Sequence, residues 1–80
     1  MIEYKTRGVC STKIQFELIG DKIHNISFED GCDGNLKAIA ILTEGMDTKE
    51  LISKLKGNRC GNKQTSCADQ LARAVELHSK

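Results

Sequence analysis

Cys10, Cys32, Cys60 and Cys67 are the residues of this sequence whose type and setting could do chemistry. Each lies beside Gly, Ser, Asp or Asn, at the border of an expected element. A cysteine serving only as a small hydrophobe sits more often inside an apolar run. A thiol made into a thiolate is a nucleophile or a metal ligand. Element borders on one side of a compact fold can converge, and four converging thiolates would match zinc or an iron–sulfur cluster. The gaps are long and irregular and contain no C-x-x-C knuckle, so the spacing alone does not choose. Three readings stay open on the residues: one metal centre, a redox pair of Cys67 and Cys60, and unremarkable reduced thiols in loops.

The stretch from Arg59 to Leu71 carries two of these cysteines and joins a Gly-containing loop to a helix. Thr65 or Ser66 can cap that helix, with Asp69 in its first turn, where a carboxylate favours the positive end of the dipole. Cys67 is then in the first turn beside unpaired N–H groups, a setting that favours the thiolate. Asp33 and Asp69 each follow a cysteine closely and could offer oxygen ligands or accept protons, but capping and dipole interactions explain them more simply. His24 falls on the core-facing register of a strand, as a hydrogen-bonded interior or rim histidine rather than a ligand. His78 should face solvent. Gly31, Gly34, Asn35, Gly61, Asn62 and Lys63 could cradle a phosphate at a helix N-terminus, yet neither segment is a P-loop or a dinucleotide fingerprint. Two histidines leave little material for acid–base catalysis.

The elements that must position these residues follow from periodicity. Ile2 to Lys5 and Lys13 to Ile19 alternate apolar and polar residues, so both read as strands. Gly20-Asp21 suits a type II′ hairpin turn into a third strand, Lys22 to Glu29, with Ile26 and Phe28 on the core face. A helix is expected from about Leu36 to Glu44, capped by Asp33 or Asn35 and stopped by Gly45. It is apolar almost all round, which predicts the most buried helix. Asp47 and Glu50 have capping-box spacing before a short helix with Leu51, Ile52 and Leu55. The last helix runs from Cys67 to about His78, with Leu71, Ala74, Val75 and His78 along one stripe. The reading is a single α+β domain over 1–80: a three-stranded antiparallel sheet followed by three helices packed on one face.

Composition narrows the function classes. Eighty residues with no Trp and only Tyr4, Phe16 and Phe28 as aromatic rings give a small core, the kind that often takes a metal or disulfide staple. A formal net charge of +1 gives no strong pull on nucleic acid or anionic membrane. The N-terminus lacks the apolar segment of a signal peptide, so a cytoplasmic location is expected, and with it reduced cysteines.

Set side by side, Gly8-Val9-Cys10-Ser11, Gly31-Cys32-Asp33-Gly34-Asn35 and Cys60-Gly61 through Thr65-Ser66-Cys67-Ala68-Asp69-Gln70-Leu71-Ala72 resemble the TSCPD-domain family. The likeness covers nearly the whole chain and is nearest to short stand-alone members. Ala68 stands where the name motif has Pro, which bears on helix entry more than on chemistry. The family also contributes a C-terminal segment to some adenosylcobalamin-dependent ribonucleotide reductases. The resemblance therefore implies a cysteine-rich metal-binding accessory module, with a protein partner that could be such a reductase. The chain has no room for the reductase barrel, its radical-bearing residues or a cobalamin pocket, so the resemblance supplies no catalytic function for the isolated chain.

A looser likeness is to iron–sulfur scaffolds of the IscU and NifU type, which share the order of sheet and helices. Cys10, Cys32 and Cys67 would match their three cysteines, whereas Thr12 stands where those scaffolds carry Asp. The expectation is a cytoplasmic module in which Cys10, Cys32, Cys60 and Cys67 bind one metal centre, zinc ahead of iron–sulfur. The alternatives are a thiol redox protein using Cys67 and Cys60, and a nucleotide-binding accessory domain. A homodimer through an uncovered sheet face or edge would fit so small a domain.

Overall fold

The computed structural model describes residues 2–6, 8–9, 11–30, 33–59 and 65–79. Three strands precede three helices: β1 (Ile2–Lys5), β2 (Lys13–Ile19), β3 (Lys22–Glu29), α1 (Asp33–Thr43), α2 (Thr48–Leu55) and α3 (Cys67–His78). The sheet is antiparallel with order β1-β2-β3. This is the α+β arrangement that the alternating strands and the later helical stripes predict.

Pairing places Ile2 opposite Phe16, Tyr4 opposite Ile14, Ile14 opposite Phe28, and Leu18 opposite Ile23, so these side chains share one face. Ile14, Phe16 and Ile23 are fully buried there against Leu51 of α2 and Leu71, Ala72, Ala74 and Val75 of α3. The opposite face is polar and internally bonded. Lys13 pairs with Glu29 at 3.1 Å, Gln15 donates to Glu3 at 2.7 Å, and Asn25 donates to Glu17 at 2.7 Å.

The hairpin forms at Gly20, whose φ of +60° is the left-handed value that the first central position of a type II′ turn needs. Two features depart from the sequence reading. The first is a bulge: Gln15 pairs with Ser27 and Glu17 with His24, so Asn25 and Ile26 together oppose Phe16. Asn25 adopts φ +55°, a conformation Asn tolerates better than most residues. The extra residue reverses the alternation. Ile23 takes the core place and His24 turns to the polar face, contrary to the core-facing register expected for it. Glu44 secures the bulge: Asn25 N–H donates to Oε1 and His24 Nδ1 contacts Oε2, each at 2.8 Å.

The second departure is α1. It begins at Asp33, ahead of the expected start, and it is not the most buried helix. Leu36 is buried, but Ile41 and Leu42 stay 68% and 75% exposed. α1 rests on β3, whereas α2 and α3 pack on each other. A helix apolar all round carries no polar face to mark its solvent side, so its pattern could not say which face would be covered. The most buried helix is α3, in which Cys67 to Ala72, Ala74 and Val75 are all buried. No helix among the described residues is long and apolar enough to cross a membrane.

Glu44 gives a pH-dependent prediction. The Asn25 N–H and then His24 hold its carboxyl below the ordinary Glu value. A depressed folded pKa contributes stability that is complete above the unfolded pKa of about 4.3 and is lost as pH falls through the folded value. Glu44→Gln keeps the shape without the charge. Urea unfolding in chelator should show wild type more stable at pH 6, with the gap closing towards pH 3; a constant gap would refute the assignment.

Candidate metal centre

The buried N-terminus of α3 is built from the T-S-C-A-D stretch, Thr65 to Asp69. Of the two cap candidates, Ser66 takes the role: its extended backbone precedes the helix and its Oγ accepts from Asp69 N–H at 3.0 Å. The same hydroxyl donates to the Asn58 carbonyl at 2.6 Å, tying the helix start to the chain that leaves α2. Helix entry is intact with Ala68 in place of Pro. Cys67 is the first helical residue and is 8% exposed. Its Sγ lies 3.2 Å from the Oγ of Ser11, which is itself buried.

Cys10, Cys32 and Cys60 lie outside the described residues, as do Gly31, Gly61, Asn62 and Lys63. Their described chain neighbours do gather at Cys67. Ser11, next after Cys10, touches the thiol. Arg59, next before Cys60, lines a cavity of about 420 Å³ together with Asn58, Asn35, Leu36, Ile39 and Cys67. Asn35 and Leu36 belong to the first turn of α1, the helix that Cys32 precedes. Two further contacts bind these chain segments to one another. Thr12 Oγ1 donates to Asp30 at 2.8 Å, joining the stretch after Cys10 to the stretch before Cys32. A Cβ added to Gly8, whose φ is +70°, would meet the Thr65 methyl at 3.7 Å, so the loop before Cys10 lies beside the start of α3.

Asp69 is fully buried and saturated with donors. Gly57 N–H donates to Oδ1 at 2.6 Å, Arg73 Nε donates to Oδ2 at 2.8 Å, and the Thr65 hydroxyl donates to the same oxygen. Burial pushes this carboxyl up, but the bonds from Thr65, Gly57 and Arg73 outweigh it and hold it below the usual range. The bonded carboxylate in turn raises the Arg73 pKa. Asp69 is therefore committed to protein donors and is not spare as a metal ligand. Among the described residues no group of three His, Cys, Asp or Glu side chains gathers for a metal, so a metal set here depends on the other thiols. His24 is engaged by Glu44, away from this end, and Gly34 and Asn35 lie exposed at the start of α1. His78 is exposed as expected, though its ring meets Phe16 edge-on at 6.4 Å.

A family model described as the TSCPD domain matches residues 2–79. The chain belongs to the TSCPD domain family. No curated protein and no solved structure matches it, and the looser likeness to IscU- and NifU-type scaffolds gains no support. For a TSCPD domain the arrangement has a clear centre of gravity: the residues that give the family its name form the capped helix start to which the cysteine neighbours return. The sequence reading missed Ser11 as the partner of Cys67 and Gly57 as a partner of Asp69. It missed Arg73 as well, although the place of Arg73 four residues after Asp69 on one helix was a signal that could have found it. Nothing in the sequence pairs Gly57 with Asp69, since that contact exists only after α3 has returned to α2.

Loss of the cap should be measurable. Ser66→Ala removes the acceptor for Asp69 N–H and leaves the Asn58 carbonyl without its donor, which should cost about 1–2 kcal/mol in chemical unfolding of the metal-free protein. Ser66→Thr should retain most of that stability. An unchanged Ser66→Ala midpoint would show that the cap contributes nothing.

Proposed function

We propose that this TSCPD domain is a metal-binding accessory module in which Cys10, Cys32, Cys60 and Cys67 hold one zinc ion through thiolates. The observation that carries the reading is the gathering of chain neighbours at Cys67: Ser11 at 3.2 Å from its sulfur, with Arg59 and the first turn of α1 around the same cavity. The donor chemistry fits. Asp69 is bound by three protein donors, so thiols are the natural ligands remaining at this end, and sulfur ligation suits zinc or an iron–sulfur cluster. Cys67 opens α3 and Cys32 immediately precedes α1. The positive ends of those two helices favour a ligand set that is negative overall. The Ser11 hydroxyl can donate to the Cys67 thiolate, lowering the cost of holding its charge in a buried place.

A bound zinc would supply a cross-link between four chain segments in a domain with a small core. In this reading the role is structural and adaptor-like, in the cytoplasm that the sequence leads one to expect. A protein partner, such as a ribonucleotide reductase of the kind to which the family contributes a C-terminal segment, is part of the same proposal and rests on the family resemblance. The near-neutral charge speaks against nucleic acid as that partner.

Elemental analysis of protein purified anaerobically without chelator tests the proposal. About one zinc per chain is expected, with thiols protected from alkylation until a chelator is added. Cys67→Ser and Cys32→Ser should each lower zinc retention and thermal stability together. Protein free of metal, with freely reactive thiols and variants as stable as wild type, would overturn the reading. A reversible disulfide between Cys60 and Cys67 in that material would instead identify a thiol redox protein.

A further inference from the structure

We propose that Asp69 is a positioning residue for the thiol centre, its carboxylate clamping both ends of the chain segment that carries Cys60; the inference rests on the metal-binding reading above. Asp69 sits in the first turn of α3, yet two of its three donors come from outside that helix. Gly57 N–H, just after α2, binds Oδ1 at 2.6 Å, and the Thr65 hydroxyl, just before α3, binds Oδ2. The next residues inward are paired as well, because Ser66 donates to the Asn58 carbonyl at 2.6 Å. Residues 57 and 58 are thus joined to 65 and 66 across a neck with the Cys60 segment between them. Arg73 Nε, at 2.8 Å, fixes the carboxylate from the helix side.

Holding residues 57 and 58 against 65 and 66 lowers the loop-closure cost that ligation by Cys60 would otherwise have to meet. Removing a group that orients a ligand in this way typically lowers metal affinity about 10–100-fold without removing any ligand. Asp69 is suited to the task because one carboxylate has lone pairs enough for all three donors, and burial keeps water from competing for them.

The full chain is compared with Asp69→Asn, Thr65→Val and Val75→Ala; the last is a core change on α3 away from the neck. Asn keeps an acceptor for Gly57 but presents an amide to Thr65 and Arg73. Zinc affinity is read by competition with a chromophoric chelator. The neck is read without metal, by hydrogen exchange at the Gly57 amide and by trypsin cleavage after Arg59 and Lys63. Asp69→Asn should speed both neck readouts and weaken zinc about 10–100-fold, and Thr65→Val should do so to a smaller extent. Val75→Ala should lower thermal stability while leaving zinc affinity and Gly57 exchange as in wild type. Equal loss of zinc affinity in Asp69→Asn and Val75→Ala would overturn the proposal, as would an unchanged Gly57 amide. If Asp69→Asn does not fold, Thr65→Val decides by the same readouts. If wild type binds no zinc, the metal reading fails, while the metal-free readouts still decide whether Asp69 clamps the neck.

Discussion

A helix that begins inside a protein must have its first N–H groups answered, and that constraint organises this molecule. The first turn of α3 is buried from Cys67 to Gln70, where an unanswered donor would cost about 1–3 kcal/mol. Ser66 answers Asp69 N–H, and the Asp69 carboxylate is answered by Gly57, Thr65 and Arg73. Every one of those partners lies within the chain running from the end of α2 into α3. Satisfying the helix start therefore brings that chain together, and Arg59, beside Cys60, comes with it. Stability and site geometry share a cause.

Apolar packing supplies the platform. Leu71, Ala72, Ala74 and Val75 bury against Ile14, Phe16 and Ile23, fixing α3 over the sheet. The small residues allow α3 to lie close, and Ser11, where the chain enters β2, then reaches Cys67. The link between the stretch after Cys10 and the stretch before Cys32, through Thr12 and Asp30, is polar and exposed. It sets direction more than it adds stability.

Much of this was legible in the sequence where a local rule governs. The strands were readable because a period of two over Lys13 to Ile19 leaves one consistent register. α3 was readable because a cap, a first-turn acid and an apolar stripe agree. The bulge at Asn25 was not, since nothing local marks the residue that doubles up opposite Phe16, and with it the side of His24 was lost. The exposure of Ile41 and Leu42 was hidden for another reason: an all-apolar helix has no pattern to orient it. For the site, the T-S-C-A-D stretch identified the helix start and its acid. The partners Gly57 and Ser11 are set by tertiary return of the chain, which spacing does not encode.

The central claim is that thiols from four chain segments close on one metal at the start of α3. X-ray absorption at the zinc edge on protein loaded stoichiometrically tests it most directly. The account predicts a first shell of sulfur alone, at about 2.3 Å, from four thiolates. A shell containing nitrogen or oxygen in place of two or more sulfurs, or zinc that washes away without a defined shell, would contradict it.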